Sequence, residues 1–397
     1  MQRRRRVKRI LIGAFAASAV LVDAGAAAAQ AAASNEQVAI TTPPAGSAAW
    51  VEDESLGRAL PDPATADAPT VAAFFASLTE AEQDRLVQIY PLVVGNLDGA
   101  PPALRYRANR LAVADERDRS RARAADPRLG PVERAAAEAR ADDTARLLQK
   151  GRQILAFDPR GRGLVSEVYG DLATADRISV LVPGSDADLG HFEQSGDPLR
   201  GVSGMAKALL AEEHRQSPSA KTAVIAWTGY VTPSGLGPDA VTSRLAEAGV
   251  PRLLRLLAGL RETSSTSVPP ALFCHSYGSV VCGEAAPRIK DRGATDVVVF
   301  GSPGMGVETA GELGSGVRVW ATRNPTDWIG NVPYLEVGGL GHGADPTTAE
   351  FGAVEVSSQG AAGHTGYFAN STASLHNFGA IALGAYQDVT LRDSRQP

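Results

Sequence analysis

Along this chain the spacing of apolar positions changes near residue 150. Before it, apolar residues such as Phe74, Phe75, Leu78, Leu86 and Ile89 recur at helical spacing. Thr79-Glu80-Ala81-Glu82 reads as a capping box opening a helix that Pro91 ends. A Gly-, Asn-, Asp- and Pro-rich loop over 95–102 precedes two longer helical patterns, over 103–125 and 131–150. After residue 150 short apolar runs alternate with helical patterns. Runs at 153–157 and 164–169, split by Asp158-Pro159-Arg160-Gly161-Arg162-Gly163, predict a hairpin. Strands follow over 178–182, 223–227, 271–273, 296–300, 317–322 and 353–356, interleaved with helices over 202–213, 240–260 and 375–386. An antiparallel start followed by alternating strands and helices implies an α/β class: a mostly parallel eight-stranded sheet covered by helices on both faces.

Two stretches at the start of the chain fit neither texture. Arg3 to Arg6, Lys8 and Arg9 precede an apolar run over 10–22 and an Ala-rich stretch with small-x-small sites, so residues 1–33 read as an export signal. The apolar run falls short of the ~20 residues that span a bilayer, so no membrane span is expected once the signal is cleaved. Residues 34–69, rich in Ala, Pro, Asp and Thr without periodicity, read as a disordered linker. The expected division is therefore 1–33 signal, 34–69 linker, 70–150 helical segment packed on the core, and 151–397 the main α/β domain.

Charge narrows the partners. The 39 Lys and Arg against 44 Asp and Glu give a formal net charge of −5. Removing residues 1–33 takes that to about −10. The Arg residues between Arg105 and Arg128 are interleaved with Asp115, Glu116, Asp118 and Asp126, as on a solvated helix face, so nucleic acid is not an expected partner.

The chemistry concentrates at Ala271-Leu272-Phe273-Cys274-His275-Ser276-Tyr277-Gly278. Strand, sharp turn and helix meet there, with small residues two before and two after Ser276, as a nucleophile elbow needs. Cys274 stands where Gly is usual. A Ser at such a junction also caps helices, so the elbow alone leaves the role open.

The order of elements resembles the α/β-hydrolase fold. Val180-Leu181-Val182-Pro183-Gly184-Ser185, Trp227-Thr228-Gly229-Tyr230, the Ser276 elbow, Gly301-Ser302-Pro303-Gly304, Asn96-Leu97-Asp98-Gly99 and Arg107-Ala108-Asn109-Arg110 resemble a poorly characterised family of actinobacterial exported α/β-hydrolases, over about residues 71–388. The resemblance implies a nucleophile after the fifth strand, an acid after the sixth or seventh and a His after the eighth. Asp327, in Arg323-Asn324-Pro325-Thr326-Asp327-Trp328, fits the acid, with Asp345 its competitor. His364 fits the base and His342 is the second choice. His214 and His376 read as exposed or packing residues, His275 as a packed His in the elbow, and His191 as a candidate for the pocket wall. The oxyanion donors would be the backbone N–H groups of Tyr277 and Ser185.

Asp186 and Asp188 form D-x-D without the remaining spacing of a calcium loop. No H-E-x-x-H, C-x-x-C or phosphate-loop pattern occurs, so neither metal nor cofactor is expected. The only cysteines, Cys274 and Cys282, lie at similar heights on the elbow strand and helix. A bridge between them and a pair of buried thiols both remain open. The expected function is an exported serine hydrolase acting on a small-molecule or lipid-like ester, thioester or amide. The alternative is a catalytically silent fold serving as a cell-surface binding module.

Overall fold

The computed structural model describes residues 37–392 except 290–292, 295 and 315. The export signal expected over 1–33 lies outside them. Its first described element, α1 (Ser47–Val51), corrects the expectation of a disordered linker over 34–69. Trp50 is fully buried there, its indole N–H donating to the Pro61 carbonyl (2.7 Å) and its ring edge-on to Phe74 and Tyr90. Buried Trp50 and Leu60, together with Arg160 donating to Thr42 and Pro43, fix a stretch whose composition otherwise reads as unstructured.

The helical segment follows as α2 (Ala68–Ala76), α3 (Glu80–Ile89), α4 (Pro91–Asn96), α5 (Pro102–Ala124) and α6 (Pro131–Leu147). The Thr79–Glu82 capping box opens α3. Pro91 ends α3 and begins α4, because a missing N–H is harmless in a helix's first turn. Phe75, Leu86, Val94 and Ala108 build a small core of their own. Ala112, Val113 and Leu147 instead pack with the sheet residues Ile154, Phe157 and Val165. The Asn109 amide ties the two together, donating to the carbonyls of Gly95 and Ile154 (both 3.0 Å).

The remaining chain runs β1 (Gln153–Asp158), β2 (Leu164–Gly170), β3 (Arg177–Val182), α7 (Val202–Gln216), β4 (Thr222–Thr228), α8 (Arg244–Thr263), β5 (Ala271–His275), α9 (Gly278–Ala285), β6 (Asp296–Phe300) and β7 (Arg318–Thr322). A small hairpin, β8 (Glu336–Val337) with β9 (Leu340–Gly341), precedes β10 (Val354–Glu355) and α10 (Ala373–Leu383). The main sheet has eight strands in the order β1-β2-β4-β3-β5-β6-β7-β10. β2 is antiparallel to both β1 and β4, and every other pair is parallel. This is the α/β-hydrolase fold.

Strand alternation divides the core. Val180, Ile225, Leu272 and Val297 face α8 and α9 on one side. Leu181, Val224, Phe273 and Val298 face α7 and α10 on the other. Each such side chain contributes about 1.5–3 kcal/mol when fully buried, which makes the central strands a rigid base for the loops at their C-terminal ends.

Candidate active site

Ser276 leaves β5 with φ +52°, a left-handed conformation rare outside glycine. Neighbouring structure holds the strained turn. The Ser276 N–H donates to the Phe300 carbonyl (3.1 Å), and its own carbonyl accepts from the N–H and hydroxyl of Ser279 (2.9 and 2.5 Å). A Cβ on Gly278 would lie 2.2 Å from the Val182 carbonyl oxygen, so only glycine lets α9 pass β3 this closely. Gly184 is pressed as tightly. A Cβ there would sit 2.6 Å from the Ser276 Cβ and 3.0 Å from the Tyr277 nitrogen, so the loop after β3 crosses directly over the serine turn.

Cys274 and Cys282 are joined by a disulfide with Cα atoms 6.5 Å apart, both residues fully buried. It ties the end of β5 to α9 behind the serine.

Asp327 follows β7 and caps a short 3₁₀ turn. Its Oδ1 accepts from the Ile329 N–H (3.0 Å) and from His364 Nδ1 (2.8 Å), while Oδ2 accepts from the Tyr367 hydroxyl (2.6 Å). Burial pushes this carboxyl up, but the His364, Tyr367 and Ile329 donors outweigh it and hold it below its ordinary value. With Nδ1 donating to Asp327, the neutral His364 ring presents a bare Nε2 as proton acceptor. The two loops are clamped together: the Asn324 amide donates to the Gly363 carbonyl (2.7 Å), and the Gly363 N–H donates to the Thr326 hydroxyl (2.8 Å).

Ser276, His364 and Trp328 line one cavity of about 460 Å³, together with Pro183, Gly184 and Ser185 from the loop after β3. The Ser276 hydroxyl has no hydrogen-bond partner among the described residues. Val202, Met205, Leu236 and Trp328 give the cavity an apolar wall; Arg200, Gln194 and His191 give it a polar one. His191 is held by Asp188, its Nδ1 2.8 Å from the carboxylate.

The other candidates lie elsewhere. His342 packs edge-on to Tyr277 and donates from Nε2 to the Ala240 carbonyl (2.8 Å). Asp345 pairs with Arg323 and caps Thr347. His376 sits by Glu212 and Gln216. Among the described residues no group of three or more His, Cys, Asp or Glu is placed to hold a metal ion, and Asp186 instead accepts from the Gly235 N–H (2.8 Å).

His275 has a role that its position in the elbow does not announce. Its Nε2 donates to the backbone carbonyl of His364 (2.8 Å), and its ring stacks on Phe300 with centroids 5.0 Å apart. Burial, then the neighbouring His364, pull its pKa down to about 3. The ring is therefore a donor held neutral, its pKa well below the usual imidazole range, and it joins the serine turn to the loop carrying His364.

A family model described as an alpha/beta hydrolase matches residues 158–337, a span holding Ser276 and Asp327 but ending before His364. An uncharacterized protein of Mycobacterium tuberculosis (strain ATCC 25618 / H37Rv) is 28% identical over 382 residues, covering 82% of this chain and 57% of that protein. An uncharacterized protein of Mycobacterium bovis (strain ATCC BAA-935 / AF2122/97) is 32% identical over 162 residues, 40% of this chain and 59% of its own. The chain thus spans less than two thirds of the length of these curated relatives. Among solved structures, that of esterase Est22 gives a TM-score of 0.30 at 12% identity, covering 52% of this chain and 83% of that one. A predicted CIB-like hydrolase from Thermoplasma acidophilum gives 0.33 at 12%, covering 60% and 97%. Overlaps of this size carry no argument about chemistry.

Proposed function

From an α/β-hydrolase domain with Ser276 and the His364–Asp327 pair at one cavity, we propose a serine hydrolase that cleaves an ester, thioester or amide through an acyl-enzyme. The observation that carries this reading is the bond from His364 Nδ1 to Asp327, which leaves Nε2 free in the cavity that the strained Ser276 also lines. In the reaction, His364 Nε2 takes the Ser276 hydroxyl proton as Oγ attacks the acyl carbon. The tetrahedral oxyanion is held by the N–H groups of Tyr277 and Ser185. His364 then gives its proton to the departing alcohol, thiol or amine, leaving an acyl-Ser276. A water repeats the sequence and releases the acid.

The apolar wall of Val202, Met205, Leu236 and Trp328 suits a small-molecule or lipid-like acyl group. The pattern of residues 1–33, and a disulfide that an oxidising compartment would sustain, favour action outside the cytoplasm. Among the described residues no helix is long and apolar enough to cross a membrane.

Steady-state hydrolysis of p-nitrophenyl esters tests the roles. Ser276→Ala and His364→Ala are expected to lower kcat by about 10⁴-fold or more, and Asp327→Asn by about 10⁴-fold, with the fold intact by circular dichroism. Full turnover in His364→Ala would remove the assignment.

A further inference from the structure

We propose that a second cavity, walled by the N-terminal segment and the sheet, is a binding site for a phosphate-sized oxyanion. It has a volume of about 110 Å³ and lies between residues 41–44 and the face of β1, β2 and β4 that α8 covers. Charge on its walls is unbalanced. Asp158 is taken by Arg160, whose Nε and Nη2 donate to its two oxygens (2.8 and 2.6 Å), and Asp98 is taken by Arg105 (2.8 Å). Each carboxylate thus has its own guanidinium.

Two more guanidinium groups, Arg252 and Arg255 of α8, line the same cavity with no carboxylate of their own. Arg252 reaches Asp158 only at 3.7 Å and otherwise donates to the Ile40 carbonyl at 3.4 Å. Arg255 has no hydrogen-bond or ion-pair partner among the described residues. Burial lowers the pKa of Arg252; Asp158 opposes this, while Arg255 and Arg160 add to it.

Uncharged donors are idle as well. Ser166 is 1% exposed, lines the cavity, and its hydroxyl has no partner. The Trp227 indole N–H, from the strand position paired with Ser166, has none either. A buried hydroxyl left unpaired is costly, and one guanidinium without an ion pair beside another that only shares Asp158 at 3.7 Å attract a doubly charged oxyanion with forked hydrogen bonds. Such an ion answers every unmet donor at once. It would also sit against residues 41–44, which Arg160 already binds through Thr42 and Pro43.

The test is titration of the mature full chain with inorganic phosphate at fixed ionic strength, chloride making up the balance, read by calorimetry and by melting temperature. One saturable site is expected, with a rise in Tm of roughly 2 °C at ten times Kd. Arg252→Met and Arg255→Met should each abolish the heat, and Ser166→Ala should weaken binding about tenfold. Arg255→Met alters an exposed side chain, so it reports even if Arg252→Met fails to fold. A parallel titration with glycerol 3-phosphate separates a free ion from an organic phosphate: tighter binding of the ester points to the latter, weaker binding to the former. No saturable heat with either, or equal heat in wild type and all variants, would overturn the site. Ester hydrolysis does not enter the readout, so this outcome is independent of the proposed reaction.

Discussion

At the scale of single residues, the proposed base is placed by one acceptor on its ring, one donor on its backbone, and a further donor on the acceptor itself. Asp327 fixes the His364 ring through Nδ1, Tyr367 fixes Asp327, and His275 fixes the His364 backbone. If His275 positions the base loop through its Nε2–H, the amide nitrogen of Gln, which reaches about as far, should replace it where Leu cannot. The expected outcome is that His275→Leu lowers kcat at least tenfold with KM little changed, while His275→Gln restores most of the rate. Equal losses in both variants, with both folded, would reduce His275 to packing. Ser276 and Asp327 were legible because an elbow and a post-strand Asp are local patterns. The His275 bond was not, because its acceptor lies 89 residues away and nothing in the pentapeptide around Ser276 encodes it. Tyr367 is hidden for the same reason, 40 residues from the carboxylate it serves.

Among elements, β5 and α9 carry the strained turn, and the Cys274–Cys282 bridge crosses between them at Cα atoms 6.5 Å apart. Helix and strand packed across ordinary side chains stand farther apart than a bridge allows. Gly278 removes that obstacle by letting the helix start against β3. Intact mass after alkylation of the denatured protein checks the bridge: no alkylated cysteine without reductant and two with it. Two alkylated cysteines without reductant would exclude it. The eight-residue separation closes a short loop, so Cys274→Ala with Cys282→Ala should cost about 2–3 kcal/mol in the loop-entropy model. The succession of strands along the chain was legible from period alone, as they are buried apolar runs with clear breaks; the crossing of β3 and β4 within the sheet was not. Residues 37–66 were not, since Trp50 works through contacts with Phe74 and Tyr90 that no periodicity marks.

For the whole molecule, stability should depend on pH through Glu213, buried between α7 and the sheet. Its Oε1 meets the Ser179 hydroxyl at 3.2 Å and its Oε2 has no partner. Burial raises the carboxyl from 4.5 to about 7, with the Ser179 hydroxyl opposing it. The folded state therefore holds a proton that the unfolded chain releases between those values. That contribution is full below about 4.5 and is lost as pH rises through about 7. Glu213→Gln, which cannot ionise, should gain on wild type by up to about 3 kcal/mol between pH 5 and pH 8. Melting curves at the two pH values check this, and a gap that stays constant would contradict it. The central claim is tested most directly by a fluorophosphonate probe with the modified peptide located by mass spectrometry. The account predicts a single adduct on Ser276 in the wild-type protein and none in Ser276→Ala; a folded wild-type protein that takes up no probe, or takes it up at another residue, would contradict it.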